Sequence, residues 1–475
     1  MNSFGFKKLS LKNFLLASAY CCCAQLCGHL FGQFPPPARA QSSTPPTYSI
    51  YSLAEQARIT DSIVKIRLER LAPELMRQEG VDMWVIIGRE YNEDPVLTTM
   101  LPATWLSARR RTILLLWDKG EGTNLERLAV ARYDILSPTS GLLFKSAWLP
   151  HKQPNQFQRL AELIAERKPR AIALNRSQAF AHADGLTASE LQEFLAALPK
   201  EFQGAIVSGE RLAVRWLETR TSEEIQMFPA LCQITHAIIA ELFSPAHIKP
   251  GVTTTGEMEW LFREKIRSLG LQTWFHPSVT IQRADPIANT TAPSSSKALS
   301  ELILHGDLLH VDVGISYLGL HSDVQRHAYV CKPSESGVPE GLRKAFQNGN
   351  RSQDILLREF KSGRTGNQIL KAALEQAAKE GVKATIYTHP IGKHGHAAGP
   401  AIGMWDMQSG VPGSGDYPLF PNTAYSIELN AETPIAEWGD KPARIMLEED
   451  AIFLNDRDGV RWLDGRQTEI IVIRP

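Results

Sequence analysis

The chain has 475 residues, 43% of them hydrophobic, and its 51 Lys and Arg balance 51 Asp and Glu. Nothing in that balance points to nucleic acid or an anionic membrane surface, and long-range electrostatic steering is not expected. The length exceeds one average core, so two domains of ~200 residues are expected.

The first forty residues differ from the rest. Lys7, Lys8 and Lys12 precede an apolar stretch from Phe14 to Leu30, and PPPARA ends at Ala40. This order predicts a secretory signal peptide over 1–40 with an A-x-A cleavage site, then a polar linker over 41–50. The mature protein is therefore expected to be secreted or periplasmic. Past this segment no uncharged apolar run reaches the ~18 residues of a membrane span, so no membrane contact is expected after cleavage. Only Cys232 and Cys331 lie outside it, enough for one disulfide at most.

From Ser52 a capping box with Glu55 opens a long helix that Pro73 kinks and Gly80 closes. DMWVIIG (82–88) reads as a buried strand, RRTILLLW and ERLAVARY as a hairpin, and RAIALN (170–175) as a further strand. These elements predict an α/β domain over 51–209. The Arg109–Arg111 run reads as a solvated approach to its strand. Thr221 or Ser222 caps a helix at RTSEEI, and IKPGVTTTGEMEW leads into another that ends at Gly270. A loop rich in Asn, Thr, Pro and Ser spans 285–299, a single helix is expected over 353–380, and the last sixty residues read as strands. NDRDG (455–459) reads as a turn between two of them.

Residues 310–323 read HVDVGISYLGLHSD, a hairpin whose midpoint falls between Tyr317 and Leu318, so Asp312 and Asp323 are expected to face one another. Two carboxylates ~5 Å apart at an effective dielectric constant near 20 repel by roughly 3 kcal/mol, which calls for a cation or a shared proton. His396 in HGHAAGP, Glu428 beside Ile427 and Leu429, and Glu448 after Ile445, Met446 and Leu447 complete an oxygen-rich set with one imidazole. Such a set suits Mn, Fe, Co or Zn, and two adjacent ions need bridging carboxylates. No HExxH, GxSxG or CxxC pattern is present.

The ordered series RTSEEI, IKPGVTTTGEMEW, GDLLHVDVG with SDVQR, GHAAG, SIEL and LEED resembles the creatinase, aminopeptidase P and methionine aminopeptidase superfamily of pita-bread metallopeptidases. The likeness is closest to Xaa-Pro aminopeptidase and prolidase-like members. It implies an α/β creatinase-like N-terminal domain and an α+β pita-bread catalytic domain over 210–475. It also implies two divalent metal ions, Mn foremost and Zn, Co or Fe as alternatives. Asp312, Asp323, His396, Glu428 and Glu448 become the ligands, with Asp323 and Glu448 bridging, Asp312 on one ion and His396 with Glu428 on the other. A water between the ions becomes the nucleophile and Glu428 the proton shuttle. Glu448 is preferred to Glu449 because EDAIF follows it as in the family, and His394 is the rival imidazole.

Where active relatives carry two further histidines this chain has Ser294 and Gly403; His389, His394 or Trp405 are candidates to replace them, and His321 to line the cleft. Arg326 reads as a structural ion-pair partner and His310 as structural. The resemblance thus implies an aminopeptidase acting on peptides, with Xaa-Pro bonds as its substrate and a homo-oligomer as its assembly. A prolidase, a creatinase-like C–N hydrolase and a metal-binding homologue of low activity remain as alternatives.

Overall fold

The computed structural model describes residues 49–284 and 300–474. The signal segment and Ser294 lie outside these residues.

Ser52 caps the helix Leu53–Ile66 through a capping box with Glu55. The helix passes through a π-turn at Arg67–Leu71 and resumes at Ala72–Gln78, with Pro73 in the turn that follows it. A seven-stranded sheet follows, in the order Ile135–Ser137, Gly141–Ser146, Glu126–Val130, Arg111–Trp117, Met83–Arg89, Ile172–Leu174, Ile206–Ser208. Met83–Arg89 is buried along nearly all its length because apolar clusters cover both faces of the sheet. Arg111 pairs with Glu190 and Glu193, whereas Arg109 stacks on Trp105 and approaches Tyr133 beside a cavity of about 450 Å³ that Arg89 and Arg132 also line.

In the second half Thr221 caps Ser222–Leu242, a helix long and apolar enough to span a membrane but largely buried in the core of this chain. Four small sheets follow. Two of them come from the 308–330 hairpin: its base pairs within Ser278–Gln282, Leu308–Val313, Val324–Val330 and Ile471–Ile473, and its tip within Ile315–Tyr317, Leu320–His321 and Gln272–Thr273. The other two are Lys383–Ile386 with Leu429–Ile435 and Lys441–Leu447, and His389–Pro390 with Thr423–Ser426, Asp450–Asn455 and Gly459–Trp462.

Two expectations are corrected here. The hairpin turns at Leu318–Gly319, both with positive φ (55° and 71°), so Tyr317 pairs with Leu320 and Asp312 stands opposite Gln325. A two-residue turn of this kind needs left-handed backbone at both positions, and the glycine that supplies one of them sets the register. Asp312 and Asp323 are thereby diagonal neighbours on one face, not opposed. The expected 353–380 helix is two helices, Glu340–Leu357 and Gly366–Lys379, because Gly363 turns the chain (φ 80°) and Thr365 with Gln368 caps a new start. Cys232 and Cys331 are both buried and free.

Glu224 ties the two halves together. Fully buried, it meets Arg67 at 2.6 Å, Lys393 at 2.8 Å and Arg220 at 3.4 Å. Burial raises its pKa, but the three cations outweigh burial and hold it far below the usual carboxylate range. Burial pushes Lys393 down to about 8, so at neutral pH it still carries its charge. Glu224→Gln should cost about 3–5 kcal/mol of stability at neutral pH, because it strands buried cations. A depressed carboxylate stabilises fully above its unfolded pKa of roughly 4.3 and loses that contribution as pH falls. Urea denaturation should therefore show the gap between wild type and Glu224→Gln narrowing progressively below about pH 4.

Candidate metal centre

Three of the four acidic candidates stand where the chain leaves one sheet for another, and Asp312 lies within the strand Leu308–Val313. Asp323 lies between the tip strand Leu320–His321 and the base strand Val324–Val330. Glu428 lies between Thr423–Ser426 and Leu429–Ile435, and Glu448 occurs as the chain passes back from Lys441–Leu447 to Asp450–Asn455. Backbone bonds lock these crossings: Gln325 N–H to Glu448 O at 3.0 Å, Tyr387 N–H to Glu428 O at 3.2 Å, and Ile427 N–H to Glu449 O at 3.0 Å. Side chains from three sheets are thus aimed into one space.

Ligand atoms of Asp312, Asp323 and Glu448 lie within 4.8 Å of one another, as do those of His389, Glu428 and Glu448, and those of Asp323, His389 and His396. His389 Nε2 stands 3.4 Å from Glu448 Oε1 and 3.6 Å from Asp323 Oδ2, while Nε2 and Asp323 Oδ1 make no hydrogen bond although buried. Such spacing suits donors around a common cation, since bonds of ~2.1 Å place neighbouring ligands about 3–3.5 Å apart. The residues therefore fit divalent ions.

The electrostatics agree. Burial first, then Glu448 and Asp312, push the Asp323 carboxyl well above its usual value; burial and Glu448 do the same to Glu428. For His389 burial disfavours the charged ring, but Glu448 and Glu428 outweigh it and lift the pKa to about 9. Without a cation the centre must hold protons instead.

The sequence reading placed His396 with Glu428; the imidazole that meets Glu428 and Glu448 is His389, and His396, exposed, joins only through Asp323 and His389. The physical reason is the pairing of His389 with Ser426, which seats it in the same sheet as the strand leading to Glu428. His394 turns away, its ring 4.6 Å from that of His182, which sequence reading missed. His321 bonds the Gly392 carbonyl at 3.1 Å and packs on Trp274, beside the histidine loop and outside the carboxylate groups. Trp405 is 74% exposed. At Gly403 (φ 79°) a Cβ would enter the Ile386 carbonyl oxygen, so this backbone admits no histidine there.

Glu449 is fully engaged elsewhere, by Arg326 at 2.9 Å, His236 at 2.6 Å and Gln467 N–H at 2.9 Å, which leaves Glu448 as the carboxylate facing the centre. Trp274 was also missed: it donates to Ser322 O at 2.9 Å and lies where a Cβ on Gly314 or Gly395 would fall, so the indole wedges the hairpin against the histidine loop. Gln325 donates to Glu428 Oε1 at 2.5 Å and Glu448 Oε2 at 2.8 Å. Its place two residues after Asp323, on the same strand face, was the available signal.

No curated protein matches the chain in sequence. Among solved structures it is similar to an X-Pro aminopeptidase from Thermotoga maritima MSB8 (TM-score 0.59, 19% identity, 84% of this chain and 99% of that one). It is likewise similar to an Xaa-Pro dipeptidase from Bacillus anthracis (0.56, 16%, 88% and 99%) and a prolidase from Pyrococcus furiosus (0.52, 16%, 83% and 99%). Likeness at these identities shows the fold, an N-terminal domain followed by a pita-bread domain. The profile of metallopeptidase family M24 matches residues 227–464, half of the chain, and spans all six residues of the three ligand groups. With carboxylates and an imidazole converging inside that segment, the chain belongs to metallopeptidase family M24.

Proposed function

We propose that the protein is an exported dinuclear-metal aminopeptidase that removes the N-terminal residue of peptides, with Xaa-Pro bonds as its substrate class. The convergence of Asp312, Asp323, Glu428 and Glu448 on His389 carries the reading. Asp312, Asp323 and Glu448 would hold one divalent cation and His389, Glu428 and Glu448 the other, with Asp323 close enough to His389 to serve both. Oxygen donors with one imidazole favour manganese, and admit zinc, cobalt or iron. Bound cations would supply the Lewis acidity that activates water and polarises the scissile carbonyl. Glu428, whose burial raises its affinity for a proton, would take the proton of that water and deliver it to the leaving amine.

The Xaa-Pro preference is supported by the names of structural relatives, and export by the basic, apolar and A-x-A order of residues 1–40. On this reading the mature enzyme is secreted or periplasmic, is built as domains 51–209 and 210–475, and forms a homo-oligomer. A second reading, metal binding with little turnover, rests on Ser294 where active relatives are expected to carry a histidine; the other expected histidine, seven residues after the metal imidazole, falls at His396 once His389 takes that role.

The purified mature protein should take up two Mn²⁺ per chain and release the first residue of Xaa-Pro peptides, and Glu428→Ala should lower that rate by about 10²-fold or more. Two bound ions with no release from tripeptides or dipeptides would sink the peptidase reading in favour of the second. Cleavage of dipeptides alone would move the substrate class to that of a prolidase.

Because His389 holds a proton up to about pH 9 and the neighbouring carboxyls are raised, ions must displace protons. Affinity for Mn²⁺ should therefore climb as pH rises towards about 9, with protons released on binding. Calorimetry in buffers of different ionisation enthalpy reads both effects, and a pH-independent affinity would contradict them.

A further inference from the structure

We propose that Gln325 is the positioning residue of the centre: with His310 behind it, it holds Glu428 and Glu448 in the orientations that admit the cation they share. The inference rests on the metal-centre reading above. Gln325 is buried, and its amide nitrogen has two hydrogens with two carboxylates to receive them, Glu428 Oε1 at 2.5 Å and Glu448 Oε2 at 2.8 Å. With both glutamates ionised, as cation binding requires, the opposite amide orientation would press an oxygen against two carboxylates. The nitrogen must therefore face them, which leaves the amide oxygen facing His310 Nε2 at 2.9 Å. An amide oxygen only accepts, so that ring nitrogen carries the hydrogen, and Nδ1 is left to accept from the Thr280 hydroxyl at 3.4 Å. Each link fixes the next.

Gln325 also grips Glu448 twice. Its backbone N–H bonds the Glu448 carbonyl at 3.0 Å while its side chain bonds the carboxylate, and Ser426 Oγ donates to the other carboxylate oxygen at 2.6 Å. One carboxylate is thus oriented from both sides, with a lone pair remaining on each oxygen. For Glu428 the amide occupies Oε1 alone and leaves Oε2 open to the centre. Gln325 faces Asp312 across the ladder, so it reaches these two glutamates from the strand opposite the Asp312 side of the site. The cation sharing Glu428 and Glu448 should feel its loss more than the cation held by Asp312, Asp323 and Glu448, which has one ligand oriented by Gln325 rather than two. Partners that orient metal ligands are typically worth 10–100-fold in affinity.

The test uses the full mature chain, stripped of metal and titrated with Mn²⁺ by calorimetry and with Co²⁺ by visible absorption. Gln325→Met keeps the length of the side chain and removes the donors. It should weaken one of the two Mn²⁺ sites by about 10–100-fold and change the Co²⁺ ligand-field spectrum, because a freed Glu428 can bind through both oxygens. His310→Phe should shift both readouts the same way by a smaller factor. A role in folding alone would lower the melting temperature, weaken both sites to the same extent and leave the Co²⁺ spectrum unaltered, and that pattern overturns the proposal. If Gln325→Met does not fold, Gln325→Asn, which keeps the amide but is too short to span both carboxylates, is held to the same outcomes. Wild-type isotherms and spectra in the variant overturn the role of Gln325 and leave the metal centre standing; absence of metal uptake by the wild type overturns both.

Discussion

Crowding of negative charge is the constraint on which this structure turns. Asp312, Asp323, Glu428 and Glu448 meet around His389 in a space where burial already raises Asp323 and Glu428 well above their usual pKa values. Such an arrangement is stable only with protons or cations in it. The chain reaches it by placing three of these acids where strands cross from one sheet to another. Pleat alternation would otherwise send neighbouring side chains to opposite faces.

A second layer of ions keeps the first from collapsing. Glu449, next to Glu448, is saturated by Arg326, His236 and Gln467 N–H, so the two adjacent glutamates have opposite tasks: one braces, one faces the centre. Glu224 pins Lys393, and with it the loop that begins beside His389, to Arg67 and Arg220. Trp274 fills the gap that Gly314 and Gly395 leave. These contacts lie between segments far apart in the chain, which is why the loop holds its shape without regular structure.

Much of the architecture was legible beforehand. The capping residues Ser52 and Thr221, the strand Met83–Arg89 and the helix end at Gly270 follow from local chemistry, and the structure places them accordingly. The carboxylates were legible as well, because each interrupts or borders an apolar run and a buried acid needs a partner. Failures came where two local readings were equally good. A hairpin turning at Tyr317–Leu318 and one turning at Leu318–Gly319 differ by one residue in the turn, and only the left-handed backbone at Leu318 and Gly319 decides.

By itself the sequence determined which residue types were available: a charge-balanced composition, acids embedded in apolar strands, three histidines within eight residues from His389 to His396, and a helical and strand order that implied the fold. Those choices are local, set by side-chain chemistry and backbone propensity over a few positions. Only the tertiary structure decided that His389 meets Glu428 and Glu448, that His394 turns to His182, and that Gln325 reaches two glutamates more than one hundred residues away in the chain. Contacts at that separation depend on how separate sheets pack, and the spacing of residues along one segment carries no record of the distance to another.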